Sequence, residues 1–188
     1  MAAKTKRLIE VLLVTCEMTG VPERGLLKSR NLGAVDLIWP RASIAKKSAA
    51  REFVFKKGKV DFTSEPWAKR VLFREEVEGH TAFAVSITEP VSVQKVRKFL
   101  RLTAKYALKQ GADFVGKAMV GYADLASAPV DALAAMVGES EAPKSIAQGV
   151  FDLETLPAEG EEVLVTVPLY RPKLLKGQTG SLTLAVRG

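Results

Sequence analysis

The sequence predicts a mainly β protein: an antiparallel Greek-key β-sandwich of about eight strands, with an inserted amphipathic helix at about 92–110 and a shorter helix at about 128–137. Three observations predict it. Apolar and polar residues alternate through most of the chain, the period-two signature of strands with one buried face. Turn signals recur between those runs. Two segments break the alternation and carry helix chemistry instead. A length of 188 residues suits one domain, 1–188, with the longer helix as an insertion at 91–111.

The first strand is "RLIEVLLVTC", apolar on both faces as an interior strand requires. "REFVFKKGKVDF" reads as two strands around a Lys57-Gly58 turn, with Phe53 and Phe55 inward. "AKRVLFREEVEGH" supplies Val71 and Phe73, and "TAFAVSIT" places Phe83, Val85 and Ile87 on one side. Ser92 caps the long helix and Gly111 ends it; Val93, Val96, Phe99, Leu100 and Tyr106 form its apolar stripe. Its opposite stripe holds Lys95, Arg97, Lys98, Arg101, Lys105 and Lys109. Val130–Val137 lies between Pro129 and Gly138, start and stop signals of a short helix. "EVLVTVPLY" turns Val163, Val165, Val167 and Leu169 inward, and "SLTLAVR" does so with Leu182, Leu184 and Val186.

Charge narrows the function classes. There are 28 basic and 21 acidic residues, a net charge of +7. Arg41, Lys46, Lys47, Arg51, Lys56, Lys57 and Lys59 crowd one stretch against Glu52 alone. Glu139 to Glu162 is the reverse, acidic against Lys144 alone, so a basic and an acidic face are expected. One cysteine, Cys16, and one histidine, His80, leave no disulfide and little for a metal site. As a nucleophile and base, Cys16 and His80 lack an identifiable third group, and Cys16 ends an apolar strand, so the pair is expected to be inert. "EEVE" (Glu75–Glu78) and "EGEE" (Glu159–Glu162) are placed on turns as solvated charge. "LKGQTG" lacks the spacing of a phosphate-binding loop. The expectation is no enzyme, no cofactor and no metal. The opening apolar run is short and contains Glu10, unlike a secretory leader, and no apolar stretch is long enough to span a bilayer. A cytoplasmic, membrane-associated protein is expected.

Three stretches, taken in order, resemble the C-two domain, the calcium- and phospholipid-binding sandwich of the protein kinase C type. They are "KVDFTSEPWAKRVLF" with Pro66 and Trp67 at a turn, "ADFVGKAMVGYADL", and the closing "VPLYRPKLLKGQTGSLTLAVRG". The resemblance implies the sandwich and a lysine-rich strand surface for anionic headgroups. Calcium-binding members supply clustered aspartates, because the ion takes about six to eight oxygen ligands. Here Asp113 matches one such position, and Asp36 in "NLGAVDLIWP" stands in the earlier loop without a partner. Calcium independence is therefore expected. Modules of this family usually accompany further domains.

Lys46, Lys47, Lys56, Lys57 and Lys59 are the candidate lipid-binding residues, and the six cations of the helix are a second basic surface. The expected function is calcium-independent, peripheral binding to anionic phospholipid. The alternative is a protein-interaction or scaffold domain of the same fold. Nucleic-acid binding through the basic helix ranks third, because base-reading side chains and displayed aromatics are sparse.

Overall fold

The fold is a computed structural model that describes residues 6–20, 28–39, 44–78, 81–89, 145–172 and 174–188. In these segments nine strands follow one another: β1 (Lys6–Met18), β2 (Lys28–Trp39), β3 (Ile44–Lys56), β4 (Lys59–Asp61), β5 (Val71–Glu78), β6 (Thr81–Thr88), β7 (Ser145–Leu153), β8 (Glu162–Arg171) and β9 (Leu174–Arg187). The one described helix is a single turn, α1 (Trp67–Arg70), between β4 and β5.

Every strand pairing is antiparallel, and the order β4-β3-β2-β6-β7-β8-β9-β1 closes on itself because β4 also pairs with β1. The result is a closed eight-stranded barrel, which corrects the expected open Greek-key sandwich. The reason lies in β1, which is 13 residues long and divides one of its edges between two partners. Its first half pairs with β5 (Lys6↔Glu78 through Leu12↔Val71), and its last residues pair with β4 (Thr15↔Asp61 to Glu17↔Lys59). The hairpin from β3 thus hands its return strand to β1, and two sheets that would stand apart are joined. The expected helices at 92–110 and 128–137 lie outside the described residues.

Side-chain alternation sets the interior. Ile9, Val11 and Leu13 of β1, Phe53 and Phe55 of β3, Phe83, Val85 and Ile87 of β6, and Leu182, Leu184 and Val186 of β9 belong to one buried cluster. Phe53 packs edge-on to Phe62 at 5.0 Å and tilted to Phe55 at 6.2 Å, geometries that favour aromatic pairs. Burying each such ring stabilises the fold by on the order of 2–3 kcal/mol. Val163, expected inward, is exposed at the start of β8, whereas Val165, Val167 and Leu169 are buried. In β6 every residue from Thr81 to Thr88 is buried, the outward Ala82, Ala84 and Ser86 included.

Three corrections concern acidic positions. Asp36 is not in a loop; it pairs with Ser48 and Ala84 in the middle of β2. Glu75 to Glu78 lie in β5, paired with β1. Glu162 opens β8, with Glu159 to Glu161 in the preceding turn.

Where strands do not pair, arginines bridge the gap. Arg51 of β3 donates to the carbonyl of Val71 on β5 (2.9 Å) and to Ala50 (3.0 Å). Arg70 donates through Nε to the Leu13 carbonyl, and Arg7 to those of Leu156 and Pro157. Five donors in a planar fork suit this task better than a single ammonium.

Candidate functional site

Lys56 ends β3, Lys57 and Gly58 form the turn, and Lys59 starts β4. Both turn residues have positive φ, +52° for Lys57 and +73° for Gly58. A two-residue hairpin of this hand favours Asn-Gly or Asp-Gly, since few side chains tolerate the left-handed region. Lysine at the first position is a costlier choice, and it projects a cation from the tip of the hairpin.

The ladder adds to that cation. Lys56 pairs with Lys59, and Lys59 with Glu17, so two lysines stand side by side across β3 and β4. Like charges directly opposite on neighbouring strands are destabilising. One is answered within the protein: Lys59 Nζ lies 2.7 Å from Glu17 Oε1. That hydrogen bond, aided by the Glu17 charge, holds the Lys59 ammonium above its ordinary pKa. At this end of the barrel the Met18 N–H donates to Gly58 O, the Thr19 N–H to Thr179 O, and the Arg171 guanidinium approaches Gly20.

Beside the hairpin lies an open cleft of about 770 Å³ whose lining includes Arg51, Lys56, Lys59, Asp61, Glu65 and Lys69. Burial lowers the pKa of the Arg51 guanidinium from its ordinary value. Asp61 is held below the usual carboxylate range, first by the Thr63 hydroxyl (2.7 Å) and then by the Thr63 N–H (2.8 Å). Lys69 meets Glu65 at 3.3 Å. The cleft is thus lined by charges of both signs, and the cationic surplus is at the hairpin.

The five candidate lysines do not form one cluster. Nine strand positions separate Lys47 from Lys56 along β3, about 30 Å at the strand rise. Lys46 and Lys47 therefore belong to the far end of the barrel. The backbone of Lys28 pairs with that of Lys56, a register that the alternation of "KSRNLGAVDLIW", with Asn31, Gly33, Val35 and Leu37 on one face, could have signalled. Lys95, Arg97, Lys98, Arg101, Lys105 and Lys109 lie outside the described residues, as do His80 and Asp113. Cys16 is buried in the core, and burial, with the adjacent Glu17 charge, drives its thiol far above the ordinary value. It is a packing residue in a form that resists ionisation. Among the described residues no three histidine, cysteine, aspartate or glutamate side chains come together in a way that suits a metal ion. No described helix is long and apolar enough to cross a membrane.

No protein-family model matches the chain, and no curated protein sequence matches it. Among solved structures the chain is similar to the C-two A domain of plant Extended Synaptotagmin 1, at 11% identity and a TM-score of 0.42, over 96% of this chain and 92% of that one. A likeness of that strength carries no functional argument; the barrel and its lysine end stand on their own geometry.

Proposed function

We propose that the protein is a non-enzymatic module that attaches peripherally to anionic phospholipid through the lysine end of the barrel, without calcium. The observation that carries this reading is the pairing of Lys56 with Lys59 at the hairpin, with Lys57 at its tip. Adjacent like charges weaken the fold on their own and are relieved when a layer of phosphates or carboxylates faces them. Glu17 already neutralises Lys59, so Lys56 and Lys57 supply most of the attraction. Each lysine near an anionic bilayer contributes about 1 kcal/mol, enough for reversible attachment when several act together. Lys46 and Lys47, at the opposite end, are outside this contact.

Co-sedimentation with phosphatidylserine-containing vesicles tests it. Binding is expected at low salt with a calcium chelator present, weakening as salt rises, and absent with neutral phosphatidylcholine. The double change Lys56→Glu with Lys57→Glu lowers affinity by roughly thirtyfold or more. Wild-type binding that needs added calcium, or that survives this double change, removes the proposal. An acidic protein partner then becomes the better reading of the same surface.

A further inference from the structure

Among the described residues, β3 carries a full ladder along only one of its edges. It pairs with β2 from Lys28↔Lys56 to Trp39↔Ile44, and on the other edge it meets β4 only at Lys56↔Lys59. The hairpin fixes which main-chain groups face that open edge. A two-residue loop with positive φ at both positions is closed by a pair that exchanges both N–H···O bonds. The N–H and C=O of Lys56 therefore point away from β2. Strand periodicity turns those of Val54 and Glu52 the same way. The Ala50 carbonyl continues the series, since the Arg51 guanidinium takes it while also reaching Val71 on β5. Lys56 and Ala50 thus have partners on this side. No ladder or hydrogen bond of the described residues reaches the main chain of Glu52 and Val54 from it.

These two residues border the open cleft of about 770 Å³ beside the hairpin, and Val60, Phe62 and Ala68 line it from the other wall. Val54 itself is 37% exposed. The cations of the cleft are not equivalent. Lys59 is held by Glu17 and Lys69 by Glu65, while Lys56, at the end of the open edge, has no carboxylate within ion-pair distance among the described residues.

We infer that this cleft binds a short extended segment of a partner protein, which adds to the β3 edge through the main chain of Glu52 and Val54 and sets an acidic side chain against Lys56. Two N–H and C=O sets lying two positions apart, about 7 Å along the strand, are the complement of alternate residues in another strand. Main-chain pairing of this kind gives affinity, and the side-chain pockets beside it give selectivity. The rungs at Lys56 and Ala50 bound the opening, so the segment crosses it briefly, entering and leaving by the outer surface. β4 and α1 form the opposite wall, which a flexible chain can enter and the edge strand of a second folded copy cannot. This chemistry differs from that of the lysine tip. It calls for amide donors and carbonyl acceptors at strand spacing, which a phospholipid headgroup lacks.

Amide NMR on the isotope-labelled protein, titrated with a blocked pentapeptide of alternating glutamate and valine, tests the inference. Saturable shifts are expected at the Glu52 and Val54 amides in the millimolar range. The same peptide N-methylated at every amide keeps its charge and loses its donors, and is expected to bind at least about tenfold more weakly. Val54→Pro removes the N–H that faces the cleft and none that pairs with β2, a change an edge tolerates. It should weaken the peptide to a similar degree while the Phe53 and Phe55 amides, on the β2 side, stay protected from exchange. The methylated peptide keeps the test decisive whatever the stability of that variant. No shift at those two amides, equal affinity of the methylated peptide, or undiminished binding by a folded Val54→Pro each overturns the inference.

Discussion

At the scale of single residues, arginines and glycines decide where the barrel can close. Arg51 is the clearest case, because β3 and β5 face each other without a ladder and its guanidinium reaches the Val71 carbonyl across the gap. Replacing it by alanine leaves that carbonyl and that of Ala50 without their charged donor. Hydrogen bonds to charged groups contribute about 1.5–3 kcal/mol, and half-burial places Arg51→Ala in the lower part of that range. Urea denaturation should show a lower midpoint with an unchanged slope. Arg51→Lys should recover less than half of the loss, since one ammonium does not span both carbonyls. A midpoint equal to wild type would mean that the gap is held by other contacts.

At the scale of elements, the inward strands are legible because one alternation has one satisfactory burial. Phe53 and Phe55, Phe83 and Val85, Leu182 and Leu184 stand on single faces in the sequence and in the core alike. β2 is less legible because "NLGAVDLIW" is apolar at both parities, and Asp36 in its middle suggests a loop. Closure is not legible, since β1 satisfies the same alternation whether its last turns pair with β4 or stand free. What permits the close pairing at that end is a glycine. Gly180 of β9 pairs with Met18, and a Cβ there would lie 2.1 Å from the Glu17 carbonyl oxygen. Gly180→Ala must therefore push β9 from β1, at about 1–3 kcal/mol, the usual cost of overpacking. It also shifts the backbone that holds Glu17 against Lys59, so thermal unfolding should fall while the amide protons of Met18 and Thr19 exchange faster. Unchanged exchange at those two amides would show that the strands adjust elsewhere. The lysine site shows the same limit of sequence reading: residues 46 and 47 are close to 56 in sequence but a strand's length away in space.

At the scale of the whole molecule, attraction to an anionic surface is confined to one end of the barrel. The lysine end stands where β1 finishes, and the row Arg74–Glu10–Arg187–Glu162 crosses β1 eight positions earlier. The signs of that row alternate and cancel, so it contributes little field of its own. Arg74→Glu should therefore co-sediment with phosphatidylserine-containing vesicles much as wild type does, whereas Lys56→Glu with Lys57→Glu should not. Raising the salt should release both wild type and Arg74→Glu over the same range. A loss of binding by Arg74→Glu as large as that of the double change would show that net charge, and not the lysine end, carries the attachment.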